Sequence, residues 1–136
     1  MNLKQYQKNV EKTWISNDKD LERIVLGIGG EAGEIQELFK KLFRGDIKKT
    51  VKELNEMARK DVAFYGRKSS YYGQEKITEK MLLKISLKKE IGDLFYYLAK
   101  VCNYYNLSIE KILEENIAKL QSRKERGKIR GSGDQR

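Results

Sequence analysis

Apolar residues recur at three- and four-residue steps along most of the chain, the period of amphipathic helices rather than strands. The clearest stripe is Leu21, Ile24, Val25, Ile28, Ala32, Ile35, Leu38, Phe39 and Leu42, a helix of about six turns, which Gly45 ends. Before it, a short helix is expected from about Leu3 to Ile15, and SNDKD supplies Ser16, Asn17 and Asp18 as candidate N-caps for the next. After it, Ile47, Val51, Leu54, Ala58, Val62 and Tyr65 form a weaker third stripe, and GRKSSYYGQ reads as a loop from its Gly, Ser and charge content. Leu83, Leu87, Leu94, Tyr97, Leu98 and Val101 make the fourth, ending near NYYN. Ser108 is placed to cap a fifth helix with Ile109, Ile112, Leu113, Ile117 and Leu120 on its apolar face. From Gln121 onward SRKERGKIRGSGDQR is too polar and glycine-broken to continue a packed helix. The expected organisation is therefore one all-α domain over residues 1–120, a bundle of four to five helices, followed by a basic tail over 121–136.

Acids interrupt two of these stripes. Glu31 and Glu34 lie three apart on one side of the second helix, in or beside the stripe carrying Ile28, Ile35 and Leu38. Glu90 and Asp93 repeat the arrangement in KKEIGDLFYY, within the stripe carrying Leu87, Leu94 and Tyr97. Burying ionised carboxylates without compensation costs several kcal/mol each. Four on inward faces call for raised pKa values, paired lysines or a bound cation. The acids at 31 and 34 also sit among four glycines, in GIGGEAGE, each of which weakens a helix by roughly 1 kcal/mol relative to Ala. Missing side chains there would let a neighbouring helix or a polyphosphate approach the backbone.

Composition narrows the chemistry. The chain has no histidine and one cysteine, Cys102, which removes disulfide frameworks, thiol and imidazole zinc sites, and Ser–His–Asp or Cys–His catalysis. Carboxylate, amide, hydroxyl, ammonium and guanidinium remain, the groups that bind hard cations and phosphates; Mg²⁺ is the expected ion, with Mn²⁺ as its substitute. A net charge of +9 points to an anionic partner without choosing among polyphosphates, nucleic acids and membrane surfaces. No apolar run is long enough to span a membrane and the lysine-bearing N-terminus lacks a secretory apolar stretch, so a cytoplasmic protein is expected. On the last helix, Asn116 occupies a stripe position between Leu113 and Ile117, with Lys119 and Arg123 following on the same side, a set of donors suited to phosphate oxygens.

The segments EAGEIQELFKK, KKEIGDLFYYLAKV and LSIEKILEENIAKLQSRKERG together resemble the MazG-like nucleotide pyrophosphohydrolases of the all-α NTP pyrophosphatase superfamily, over about residues 21–43 and 84–136. The stretch from about Arg44 to Leu83 departs from the family pattern, in which the acid pairs stand closer in sequence. The resemblance implies a MazG-like helical bundle completed by assembly into a homodimer or homotetramer, and Mg²⁺-dependent cleavage of a nucleoside triphosphate into monophosphate and pyrophosphate. It assigns Glu31, Glu34, Glu90 and Asp93 as metal ligands, and Asn116, Lys119 and Arg123 as substrate contacts. The residue chemistry adds Glu34 or Glu37 as the general base, and Lys40 and Lys41 as positive charge around the departing phosphates.

Two competing readings are weighed against this one. A non-enzymatic, basic, helical nucleic-acid-binding protein would explain +9 and the RKERGKIR tail, but leaves four inward acids unexplained, so nucleic acid is disfavoured as the partner. A purely structural ion-pair network would instead match the acids with Lys40, Lys41, Lys88 or Lys89.

Overall fold

The computed structural model describes residues 1–65 and 76–130, with the side chains at 58 and 60–65 outside that description. Among the described residues there are five helices, α1 (Leu3–Thr13), α2 (Asp20–Arg44), α3 (Asp46–Tyr65), α4 (Glu79–Tyr104) and α5 (Ile109–Glu125), and no strand. The all-α architecture read from the periodicity is the observed one. The loop expected for GRKSSYYGQ, the stripe positions Ala58, Val62 and Tyr65, and the closing GSGDQR lie outside the described residues or side chains.

Local chemistry sets the helix ends. Asn2 and Gln5 form a capping box on α1, each side chain taking up the other's backbone N–H. Between α2 and α3 stands Gly45 at φ +81°, a left-handed conformation that costs a side chain about 1–2 kcal/mol, so the two long helices join through a single residue. Asn106 at φ +55° closes α4, with the Leu107 N–H bonding back to the Cys102 carbonyl at 2.7 Å. Ser108 then caps α5, its hydroxyl accepting from the Lys111 N–H at 3.4 Å.

The same Schellman geometry ends α5 at Gly127, φ +65°, where the Lys128 N–H reaches the Arg123 carbonyl at 2.7 Å. Thus α5 continues through Glu125, past the Gln121 boundary expected from polarity. Arg123 is only 5% exposed, so one face of this last turn is covered although its residues are charged.

The contacts divide the chain into two compact units, Met1–Val25 with Tyr96–Arg136, and Leu26–Phe95. In the first, Val10, Ala99, Cys102 and Ile109 form a core flanked by Leu3, Tyr6, Tyr96 and Val101. A polar network borders it. The Gln7 side chain donates to Asn103 and to the Leu107 carbonyl and accepts from the Ile109 N–H, while Lys100, 4% exposed, donates to both oxygens of Glu11 at 2.8 and 2.9 Å. The Trp14 ring lies against Tyr96 and under the Arg23 guanidinium, 4.6 Å from its centroid. In the second unit, Ile47 and Val51 of α3 are buried, and Asn55 ties α3 to the approach of α4 by bonding both the N–H and the carbonyl of Ile77 at 2.9 Å.

Candidate metal centre

The second unit holds both acid pairs. Glu31 and Glu34 stand one turn apart on α2 and Glu90 on α4; one carboxylate oxygen from each lies within 4.8 Å of the others. Side chains 56 or more residues apart in sequence therefore meet, as a shared site requires. Their exposure is graded: Glu90 is buried at 8%, Glu31 half-buried and Glu34 exposed.

Glu90 carries the strain of the arrangement. Its Oε1 accepts from Lys89 at 3.2 Å, whereas its Oε2 is buried without a hydrogen-bond partner among the described residues. An unmet buried acceptor costs about 1–3 kcal/mol, more when charged, and this residue shares its surroundings with two further carboxylates. Burial raises the pKa of Glu31 above the ordinary glutamate value, and the negative charges of Glu34, Asp93 and Glu90 raise it further. The site thus concentrates negative charge, which disfavours the ionised form of Glu31.

Three carboxylate oxygens form the donor set of a hard divalent cation. Oxygens on opposite sides of one Mg²⁺ lie about 4.2 Å apart and those of Ca²⁺ about 4.6–5.2 Å apart. The three oxygens lie within 4.8 Å of one another, so the carboxylates draw closer together when all three ligate one such ion. The residues therefore fit such an ion, and the orphaned Oε2 of Glu90 gives it a place to bind.

Not every expected residue joins this cluster. Asp93 is half-buried one turn after Glu90, and its charge acts on Glu31, but it is not part of the three-carboxylate group. Glu37 is engaged elsewhere, accepting from Lys40 at 2.9 Å with Arg44 at 3.5 Å; the Lys40 hydrogen bond holds its pKa below the usual value. Lys41 is exposed nearby on α2. Asn116, Lys119 and Arg123 lie on α5, in the first unit, the first two exposed and Arg123 buried.

The ion-pair alternative is realised only in part. Lys89 neutralises one oxygen of Glu90, while Lys40 serves Glu37 instead. A Cβ added at Gly29, Gly30 or Gly33 would meet no atom of the described residues within 4 Å, so among the described residues no neighbouring helix uses the gap. Sequence reasoning passed over the ion pair of buried Lys100 with exposed Glu11. Its signal was present, a lysine between Leu98 and Val101 in an otherwise apolar turn.

Carboxylates from two long helices thus meet at one point, an arrangement that could hold a metal ion. The family model for the MazG nucleotide pyrophosphohydrolase domain matches residues 20–127, and the chain belongs to that family. It is also similar to the Gene 37 protein of Mycobacterium phage L5, 31% identical over 116 residues that cover 85% of this chain and 76% of that one. No solved structure matches it. No helix among the described residues is long and apolar enough to cross a membrane.

Proposed function

We propose that this protein hydrolyses nucleoside triphosphates, ribo or deoxy, between the α and β phosphates, releasing a monophosphate and pyrophosphate with Mg²⁺ as cofactor and Mn²⁺ as a substitute. The observation that carries the reading is the meeting of Glu31, Glu34 and Glu90 within 4.8 Å, with Glu90 buried and one of its oxygens unpartnered among the described residues, in a chain of the MazG family.

Glu31, Glu34 and Glu90 would hold the ion, with Asp93 one turn further completing the acidic wall. When bound, the ion would supply charge neutralisation for the phosphates and would lower the pKa of water. Glu34, the most exposed of the three, would be the residue to accept the proton of the attacking water. Glu37 is the second candidate base; its ion pairs with Lys40 and Arg44 keep it ionised. Lys40 and Lys41 add positive potential for the departing pyrophosphate. Asn116, Lys119 and Arg123 are proposed to grip phosphate oxygens in an enzyme assembled as a homodimer or homotetramer.

The test is a panel of dNTPs and NTPs incubated with the purified protein and Mg²⁺, with pyrophosphate release as the readout. Cleavage of at least one triphosphate, abolished by chelation and restored by Mg²⁺ or Mn²⁺, is the expected result. A folded protein that cleaves none of them with any divalent ion refutes the proposal.

A further inference from the structure

The second unit carries a second charged surface that the hydrolase reading does not use. A cavity of about 590 Å³ beside α3 and the entry to α4 is lined by Lys48, Lys49, Lys52, Arg59 and Lys76, with Glu56 and Glu79. Five cations face two carboxylates, a surplus of three. None of these residues belongs to the acid cluster. The surface lies within residues 44–83, the stretch that departs from the family pattern.

Surface lysines are usually solvated individually; here three features set them apart. They line a concavity. They come from two segments held together, because Asn55 bonds both backbone groups of Ile77 and also donates to the Val51 carbonyl at 2.8 Å, which fixes Lys76 beside α3. And among the described residues only Lys52 has a carboxylate at ion-pair distance, Glu56 at 3.9 Å. Long-range repulsion among such cations is lowered by an anion that spans them.

Size and lining choose the anion. Lys48 and Arg59 are about 16 Å apart along the helix axis, a length that matches roughly five base-pair steps of a duplex axis and exceeds the three directly linked phosphates of a nucleoside triphosphate. Among the described residues no aromatic ring lines the cavity, and its polar lining is cationic, which favours contacts to phosphate over stacking on bases. We propose that this groove binds the phosphate backbone of nucleic acid without regard to sequence, alongside the hydrolase site and independently of it.

The experiment measures, over a range of salt, the binding of a fluorescent oligodeoxythymidylate, the same strand in duplex form, inorganic polyphosphate and tripolyphosphate to the full chain. It compares the wild type with the triple variant Lys48→Gln, Lys49→Gln, Lys52→Gln and with the tail variant Lys128→Gln, Arg130→Gln. Oligonucleotide affinity in the triple variant should fall by at least about tenfold, and the slope of log K against log salt should shrink by about 2, the loss of three phosphate contacts to a single strand. The tail variant should retain binding, and the triple variant should keep its helicity and any triphosphate hydrolysis. Should the triple variant lose helicity, Arg59→Gln with Lys76→Gln decides by the same readout. Unchanged affinity and slope in the groove variants, loss with the tail variant alone, tripolyphosphate bound as tightly as the oligonucleotide, or a preference for inorganic polyphosphate would each overturn the proposal.

Discussion

At Glu90, burial and an oxygen unpartnered among the described residues coincide, and the proposed metal site turns on that residue. Glu90→Gln and Glu31→Gln remove ligand charge with little change in shape, and each is expected to lower triphosphate hydrolysis by more than about 100-fold, beyond what loss of an outer-shell partner costs a metal site. Initial rates at saturating Mg²⁺, with circular dichroism as the fold control, check this. Stability should move the other way. Glu31 holds its proton more tightly in the folded than in the unfolded chain, so its contribution to apo stability declines as pH rises above the ordinary value of 4.5. Melting curves in chelator should show Glu31→Gln more stable than wild type at neutral pH, the difference closing below pH 4.5. Glu11 has the opposite sign: its hydrogen bond from Lys100 lowers its pKa, so its contribution is present above 4.5 and is lost as pH falls through the lowered folded-state value. Equal pH dependence in wild type and Glu31→Gln would remove the electrostatic account.

On the scale of helices, positions that look weak in composition do specific work. Gly45 joins α2 to α3 in a left-handed conformation, and Gly45→Ala is expected to cost about 1–2 kcal/mol in urea unfolding. Asn55 satisfies two backbone groups of Ile77, so Asn55→Ala should cost about 1–3 kcal/mol and loosen the approach of Lys76. Hydrogen exchange at the Ile77 amide reports this directly. By contrast, Gly29, Gly30 and Gly33 have open space beside them, and alanine there meets no atom of the described residues. Helix propensity alone then predicts a gain of up to about 1 kcal/mol per site in the apo protein. A loss of triphosphate hydrolysis without loss of stability in Gly30→Ala would show that the gap serves the substrate.

Across the whole molecule, many large apolar side chains remain uncovered. Phe43, Ile85 and Ile117 are exposed at 82%, 67% and 53%, more apolar surface than single copies of a small protein usually display. Assembly into dimers or tetramers would cover it, and sedimentation velocity at micromolar concentration is expected to show no monomer. A monomeric species across the accessible range would refute assembly.

Periodicity alone determined the helices, because a 3.6-residue repeat of apolar side chains has only one regular solution in a chain without proline. It also marked Glu31, Glu34, Glu90 and Asp93, since an acid on an apolar face is anomalous whatever it faces. Tertiary structure decided the rest. That Glu31, Glu34 and Glu90 share one point, that Lys100 is buried against Glu11, and that Lys76 stands beside the lysines of α3 all depend on side chains distant in sequence, whose approach no local pattern encodes. The end of α5 shows the same division: polarity suggested a stop at Gln121, but burial of Arg123 and the left-handed Gly127 carry the helix to Glu125, because a helix persists as far as its face is covered.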